Sequence, residues 1–492
     1  MSCKCSSRCA ACALISRRQF ISTAAMAAGA AAVPLRFAPA QQPPATAPAE
    51  GARRAGAASK VRALVHACFV RRKGPYGMRW PGAVYDGEAA LSGYTRQIEQ
   101  AASDLKIRLE LRRVPLYSAE EADRWLAEAA EAKPDGLLVV LLDRQEHAWP
   151  TAARAVTSGI PTVVFSPVGT SFTTNTAPLA GKTGCFICST DDFAQVRWGM
   201  KMLAAAARLR ATRCLVLAGK AAREQPMAQL GITLQYLPAA TFLERYEKTP
   251  ESPAIVAMAD AMIAASRGMH GATRQDVING VRSYAVAASL LEEHRADAIS
   301  MDCLGALGRS KVSLPCIAWS KMNDDGIPAA CEADVGAIAA HVLVQYLFDR
   351  PGFQQDPVAD TARDAIIGSH CSCPTRLAGF DKPPEPYDIV HHHGMRDATA
   401  RPTWRPGQRV TMADVLPSDG RKPAQVIVAA GSVLDNVAVP PAGGCVVAVR
   451  VKFDGNTDVL SFPGFHQVFF YGDFRRELLQ FCRLFGLEAV QA

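Results

Sequence analysis

The sequence predicts an α/β protein in which two doubly wound parallel-sheet domains are followed by a β-rich, barrel-like C-terminal domain. Three observations lead to this prediction. Between residues 61 and 318, short apolar segments alternate with longer segments of helical periodicity, as in parallel α/β sheets. After Pro351 the helical periodicity nearly stops, and short apolar segments are separated by Pro, Gly and Asp. The length of 492 residues is too great for one ordinary domain.

The first 40 residues predict an export signal that is not part of the fold. Arg17 and Arg18 precede a mildly apolar, alanine-rich run, which is typical of a twin-arginine signal, and residues 38–40 (APA) offer a cleavage site. The run is too weakly apolar for a membrane anchor, which needs about 20 strongly apolar residues. We therefore expect the twin-arginine translocase as a partner, and a periplasmic or otherwise exported location. The alternative is an alanine-rich tail that happens to contain two arginines. The composition of residues 41–59 predicts a linker.

Residues 60–180 are predicted to form the N-terminal α/β domain, and residues 181–352 the second one. Short runs rich in Val and Leu predict buried strands. The predicted strands are Val61–Phe69, Leu109–Val114, Gly136–Leu142, Thr162–Phe165, Cys214–Leu217, Gly231–Leu237, Ala298–Met301 and Pro315–Ala318. Longer periodic or continuously apolar runs predict helices, one of which opens with Ser-Ala-Glu-Glu. The predicted helices are Tyr94–Leu105, Ser118–Ala132, Ala152–Ser158, Phe193–Leu209, Pro253–Ser266, Arg274–His294 and Pro328–Asp349.

Residues 353–492 predict the β-rich domain, either an antiparallel barrel or a sandwich. Its short apolar runs give the expected strands Ala365–Ile367, Val410–Met412, Gln425–Ala429, Val446–Val451 and Val468–Phe470. One helix, Phe474–Phe485, is expected near the end of the chain.

Composition and cysteine usage narrow the function classes. The formal net charge is +8, and no dense basic run with interleaved aromatic residues occurs, so nucleic-acid binding is not expected. Of 15 cysteines, four precede the paired arginines, and the remaining odd number argues against a scaffold built only from disulfides. Cys185 and Cys188 form a close pair, as do Cys371 and Cys373. Because the two pairs are nearly two hundred residues apart, buried thiols or a single disulfide are favoured over a zinc site.

Four polar residues stand in apolar or glycine-rich surroundings and predict a divalent metal site. Glu332 lies at the mouth of a nearly all-apolar segment, and Asp356, His370 and His466 follow in GFQQDP, GSHCS and PGFHQVFFYGD. A buried carboxylate without a partner costs several kcal/mol, so it is expected to be paired or to coordinate an ion. Asp334, near the same helix start as Glu332, is interpreted as a helix cap.

The segments KMNDDGIPAACEAD, LVQYLFDRPGFQQD, GSHCS and PGFHQVFFYGDFRRELLQFCRLFGLE resemble the fucose and arabinose isomerase superfamily, closest to its fucose isomerase-like branch. The resemblance is good over residues 302–372 and 443–488 and mainly architectural over residues 60–300. It implies two α/β domains followed by a β-rich domain. It also implies a metal-dependent aldose–ketose isomerase acting on a small-molecule sugar, assembled as a trimer or hexamer.

The resemblance further implies that Glu332, Asp356 and His466 bind manganese or another divalent ion, and that His370 lies near the substrate. A divalent ion chelated by two adjacent sugar oxygens polarises the carbonyl group, and a carboxylate can then move the carbon-bound proton through an enediol. Glu332 and Asp356 are both candidates for the base. An O/O/N ligand set suits a hard ion such as Mn²⁺.

Some features leave alternatives open. The sequence has Ala333 where relatives usually have glycine, and Gln467 where they often have His or Asn. The His391–His393 tract is compatible with a role near the sugar and equally with a solvated loop. A non-catalytic, exported carbohydrate-binding protein on the same fold is the alternative function.

Overall fold

The computed structural model describes residues 56–74, 77–79, 84–144, 146–308, 310–392, 395–418, 420–438, 445–455 and 458–492. The predicted export signal, residues 41–55 of the predicted linker and His393 lie outside these residues. Among the described residues, no helix is long and apolar enough to cross a membrane.

The described chain contains strands throughout and helices mainly before residue 350. The strands are β1 (Leu64–Val70), β2 (Gly77–Arg79), β3 (Val84–Asp86), β4 (Arg108–Leu116), β5 (Gly136–Leu141), β6 (Thr162–Ser166), β7 (Cys185–Ser189), β8 (Arg213–Leu217), β9 (Arg223–Pro226), β10 (Thr233–Leu237), β11 (Met269–His270), β12 (Ala298–Met301), β13 (Ala329–Cys331), β14 (Phe353–Asp360), β15 (Ala365–His370), β16 (Tyr387–His392), β17 (Arg396–Pro402), β18 (Arg409–Leu416), β19 (Gln425–Asn436), β20 (Val447–Phe453), β21 (Gln467–Tyr471) and β22 (Glu488–Gln491). The helices are α1 (Gly87–Asp104), α2 (Ala119–Ala132), α3 (Ala148–Thr157), α4 (Thr173–Ala180), α5 (Phe193–Ala211), α6 (Ala240–Lys248), α7 (Pro253–Ala265), α8 (Arg274–Glu293), α9 (Cys303–Leu307), α10 (Cys316–Asp324), α11 (Val335–Phe348) and α12 (Arg475–Phe485).

The first sheet is fully parallel and has the strand order β4-β1-β5-β6-β7. Every residue of β5, a continuous run of Gly, Leu and Val, is buried, as expected for a strand covered on both faces. The strand order is that of a flavodoxin-like doubly wound sheet, which confirms the predicted fold class. The last strand, β7, lies beyond residue 180, so this sheet continues past the predicted domain boundary. Packing also extends into the predicted linker, because Ala58 is buried and residues 57–59 contact α5.

The second sheet has the order β13-β12-β8-β10-β9 and is parallel except for β9, which pairs antiparallel with β10. Two sequence predictions in this region are wrong. The predicted strand Pro315–Ala318 is the start of helix α10, because a short apolar run does not distinguish a strand from a buried helix. The predicted helix Pro328–Asp349 begins only at Val335, because residues 329–331 form β13 and pair with β12.

The C-terminal region forms a closed, six-stranded antiparallel barrel. Its strands follow the order β18-β21-β14-β15-β20-β19, and β19 pairs back to β18. Strand β22 adds to the edge of β19 in parallel. The barrel confirms the predicted β-rich region, and closure removes the open edges that a sandwich would leave. A separate three-stranded sheet has the order β11-β16-β17.

Helix α11 connects the second sheet to the barrel. All its residues from Gly336 to Phe348 are buried, as its nearly continuous apolar sequence predicts. It packs against α5, against the barrel strands β18 and β21, and against β12 and β13 of the sheet. Its N-terminus therefore lies where the sheet and the barrel meet.

Candidate active site

The barrel's register brings three of the predicted residues to one end. Asp356 in β14 pairs with Ser369 in β15, and His370 is the residue that follows Ser369. Gln355 in β14 pairs with Gln467 in β21, and the residue before Gln467 is His466. The fourth residue, Glu332, arrives from the second sheet in the turn between β13 and α11. All four predicted residues thus converge, although they span a long stretch of sequence.

The convergence is centred on the imidazole of His466. Its Nε2 atom lies 3.4 Å from Glu332 Oε2 and 3.2 Å from Asp356 Oδ1. His370 Nε2 lies 3.9 Å from Glu332 Oε1. One ligand atom from each of Glu332, His370 and His466 lies within 4.8 Å of the others. The imidazoles are nearly buried, with 5% and 6% of their side-chain surfaces exposed, whereas about a third of each of the two carboxylate side chains is exposed. The carboxylates therefore form the mouth of the site and the imidazoles its floor.

Asp334 holds His466 in this orientation. Its Oδ1 atom accepts a hydrogen bond of 2.8 Å from the backbone N–H of Ala337, which confirms its predicted role as the cap of α11. Its Oδ2 atom lies 2.9 Å from His466 Nδ1. This second contact was not predicted. It directs Nε2 toward Glu332 and Asp356, as a carboxylate commonly does for a metal-binding histidine.

The backbone at the site is unusual. Glu332, Ala333 and His466 have φ values of 62°, 54° and 55°, in the left-handed region that residues with a Cβ rarely occupy. Two consecutive residues in this region turn the chain sharply between β13 and α11. Such conformations cost about 1–3 kcal/mol each and persist only where the surrounding structure enforces them. Their clustering here marks the region as a functional candidate.

The electrostatic balance of the site depends on three carboxylates around one imidazole. Burial alone would lower the pKa of His466, but contacts with Asp334, Asp356 and Glu332 together raise it to about 11. The contact with His466 Nε2, at 3.4 Å, lowers the pKa of Glu332 although burial acts in the opposite direction. Burial opposes ionisation of Asp356, yet the two histidines lower its pKa overall. Both carboxylates at the mouth are therefore ionised at neutral pH, and a metal ion that binds His466 must displace the proton of its Nε2 atom.

The unsatisfied atoms of the site fit a divalent cation. His466 Nε2 and Asp356 Oδ1 are both buried and make no aligned hydrogen bond, although they lie 3.2 Å apart. Buried polar atoms without partners are uncommon and call for a specific explanation. Oxygen and nitrogen donors from two carboxylates and an imidazole form a ligand set suited to Mn²⁺ and similar ions.

Two further residues support the site: Asp414 was not singled out in the sequence, and Gln467 was noted only as standing where relatives often have His or Asn. Asp414 is buried in β18, and its Oδ2 accepts a hydrogen bond of 3.2 Å from the backbone N–H of Phe465. Burial, followed by the negative charge of Asp334, raises the pKa of Asp414 to about 7. Gln467 donates to the Pro463 carbonyl at 2.7 Å and accepts from Gln355 at 2.8 Å, which fixes the loop before His466. Asp414 could have been recognised in the sequence as a charged residue inside the apolar run VTMADVL.

The other metal-like sequence signals lie elsewhere in the described chain. His391 and His392 belong to β16 in the three-stranded sheet, where His391 Nε2 lies 3.9 Å from Asp276 Oδ2 and His392 is buried. Cys185 and Cys188 are buried thiols in β7 of the first sheet. Glu332, His370 and His466 form a group of three potential metal ligands, and Asp356 adjoins this group through His466 Nε2, at 3.2 Å.

Comparison with known proteins finds a similarity over part of the chain. No protein-family model matches the chain. The chain is similar to a sulfoquinovose isomerase from Clostridium sp. (strain MSTE9), with 26% identity over 288 residues. The matched region covers 55% of this chain and 61% of that relative. The similarity thus extends over little more than half of either protein.

Proposed function

We propose that this protein is a metal-dependent sugar isomerase of the fucose/arabinose isomerase type, which interconverts an aldose and a ketose through an enediol. The observation that carries the proposal is the meeting of His466 Nε2 with the carboxylates of Glu332 and Asp356, at 3.4 and 3.2 Å. The similarity to a sulfoquinovose isomerase supports a sugar as the substrate class.

In this proposal Glu332, Asp356 and His466 hold one divalent ion, preferably Mn²⁺. When bound, the ion would polarise the sugar carbonyl and acidify the neighbouring C–H group. Glu332 and Asp356 divide the proton transfers, one acting on the carbon-bound proton and the other on the sugar oxygens. His370, with Nε2 3.9 Å from Glu332 Oε1, positions the sugar on the floor of the site. Asp334 keeps His466 in the tautomer that leaves Nε2 as the ligand atom.

We also propose that the protein is exported, as its N-terminal sequence suggests, and that it forms a homo-oligomer of three or six chains, as the family resemblance implies. Export would follow the twin-arginine route, which carries folded proteins, so the metal could be acquired before translocation. A comparison of the mature N-terminus in cell fractions would test export. Retention of the first 40 residues in a cytoplasmic product would contradict it.

The function is tested by a metal analysis combined with an isomerisation assay on a panel of sugars that includes sulfoquinovose. Glu332→Gln and His466→Ala should lose metal and isomerase activity together. Glu128→Gln, an exposed carboxylate on α2, is the matched control and should behave like the wild type. A wild-type protein that isomerises a sugar equally well after chelation would contradict the metal-dependent reading. A protein that binds metal and sugar without turnover would favour the non-catalytic alternative.

A further inference from the structure

Five cysteines surround the candidate site, although the proposed reaction uses none of them. They come from separate elements where the second sheet meets the barrel: Cys303, Cys316, Cys331, Cys371 and Cys445. Two of them adjoin site residues in sequence, since Cys331 precedes Glu332 and Cys371 follows His370. The described cysteines are all thiols, with no disulfide among them. The presence of five thiols beside the site is not explained by the proposed reaction.

The thiols make contacts in pairs. The side chain of Cys371 hydrogen-bonds with both Cys445 and Cys316, and Cys331 hydrogen-bonds with Cys303. A structural zinc site needs about four thiolate or imidazole ligands around one point. No cysteine of the described chain belongs to a group of three His, Cys, Asp or Glu side chains close enough to share an ion. Among the described residues, no three thiols have sulfurs that all lie within 4.8 Å of one another. Pairwise contact without a third ligand favours disulfide chemistry over metal binding.

Cys371 and Cys445 lie close together, and an oxidant has access to one of them. His370 at the end of β15 pairs with Val447 in β20, so the next positions outward are Cys371 and Val446, with Cys445 one residue further. Ser369 Oγ donates a hydrogen bond of 3.1 Å to the Cys445 carbonyl, which holds Cys445 beside the end of β15. Cys445 also packs against the apolar cluster that contains Cys371. Cys445 is partly exposed, whereas the other four cysteines of the cluster are buried. An oxidant can therefore reach this pair through Cys445.

We propose that Cys371 and Cys445 form a disulfide under oxidising conditions, and that this bond ties the end of the strand carrying His370 to β20. With oxidised glutathione as the oxidant, the sulfur–sulfur bond of glutathione breaks and one forms between Cys371 and Cys445. The two electrons and the two thiol protons end on two molecules of reduced glutathione. The inference does not depend on the proposed isomerase activity, because its readouts are a covalent bond and its effect on stability.

The sequence allows the bond to be mapped directly. Trypsin places the five cysteines in five different peptides, with Cys371 in residues 364–376 and Cys445 in residues 422–450. The folded full-length protein is incubated with oxidised glutathione, alkylated and digested. Hydrogen bonding to Cys316, ahead of burial, raises the pKa of Cys371, so an alkaline buffer and long incubation are needed. The expected result is one peptide pair, 364–376 joined to 422–450, and an intact mass about 2 Da lower.

Three variants make the assignment specific. Cys445→Ser should abolish the link, whereas Cys482→Ser, a matched buried cysteine in α12, should retain it. Cys373 shares a peptide with Cys371, so Cys373→Ser should also retain the link. The oxidised wild type should unfold at a higher urea concentration than the reduced protein, and Cys445→Ser should show no such difference. A link from peptide 364–376 to the Cys316 peptide, or complete alkylation of both cysteines after oxidation, would overturn the proposal.

Discussion

Replacing Asp334 separates the two tasks that this carboxylate performs. One oxygen caps α11 through the N–H of Ala337 at 2.8 Å, and the other contacts His466 Nδ1 at 2.9 Å. Asp334→Asn keeps an oxygen for the cap but loses the charged partner of the imidazole. Asp334→Ala loses both. The stability difference between the two variants therefore reports mainly on the cap.

The expected magnitudes follow from these contacts. A hydrogen bond to a charged group contributes about 1.5–3 kcal/mol, so Asp334→Asn should lower the free energy of unfolding by about that amount. Loss of an N-cap costs about 1 kcal/mol, so Asp334→Ala should be less stable than Asp334→Asn by about 1 kcal/mol. Because a partner carboxylate orients a metal-binding histidine, both variants should bind Mn²⁺ about 10–100-fold more weakly than the wild type.

Two assays check these values separately. Urea denaturation of the metal-free proteins gives the stability differences, and calorimetric titration with Mn²⁺ gives the affinities. Equal stability of Asp334→Asn and Asp334→Ala would refute the capping role. Wild-type Mn²⁺ affinity in Asp334→Asn would refute the role of Asp334 in orienting His466.

Further predictions concern the turn, a buried acid and the core. Ala333→Gly should raise the free energy of unfolding in urea by about 0.5–1 kcal/mol, because φ is 54° there and glycine adopts that conformation without strain. The control Ala339→Gly, inside α11, should lower the free energy of unfolding. A lower free energy of unfolding for Ala333→Gly would contradict the prediction. Burial raises the pKa of Asp324 from 3.8 to about 6 despite hydrogen bonds from Thr375, so its contribution to stability is present below pH 3.8 and is lost as the pH rises through about 6. The free energy of unfolding of the wild type relative to Asp324→Asn should therefore fall by roughly 3 kcal/mol over that interval, and a pH-independent difference would count against it. Phe348→Ala should lower the free energy of unfolding in urea by about 3–5 kcal/mol, because the centroid of this ring lies 4.5–5.8 Å from those of three other aromatic rings. A decrease below about 1 kcal/mol would show that this aromatic cluster contributes little to stability.

The sequence predicted the fold class well because strand and helix periodicity were strong. The fully apolar runs of β5 and α11 were identified correctly, since their lengths differ clearly. The wrong assignments were residues 315–318, a short apolar run that begins α10, and residues 328–334, where the pairing of β13 with β12 decides the structure. Strand β7 was missed because its sequence, CFICS, contains little Val or Ile.

The candidate site was predicted residue by residue, but its arrangement was not. Glu332, Asp356, His370 and His466 were named from the sequence, and all four converge. The sequence did not indicate that Glu332 lies in a left-handed turn outside α11, because that conformation is enforced by tertiary packing. Nor did it reveal that Asp334 contacts His466, because the two residues lie 132 positions apart.

The most direct test of the account is a titration of the metal-free protein with Mn²⁺, followed by an assay for sugar isomerisation. The wild type should bind one Mn²⁺ per chain and gain isomerase activity as the site fills. His466→Ala, which removes the imidazole at the centre of the site, should lose both the bound metal and the activity. Binding of Mn²⁺ by His466→Ala with wild-type affinity, or no metal binding by the wild type, would contradict the proposed metal centre.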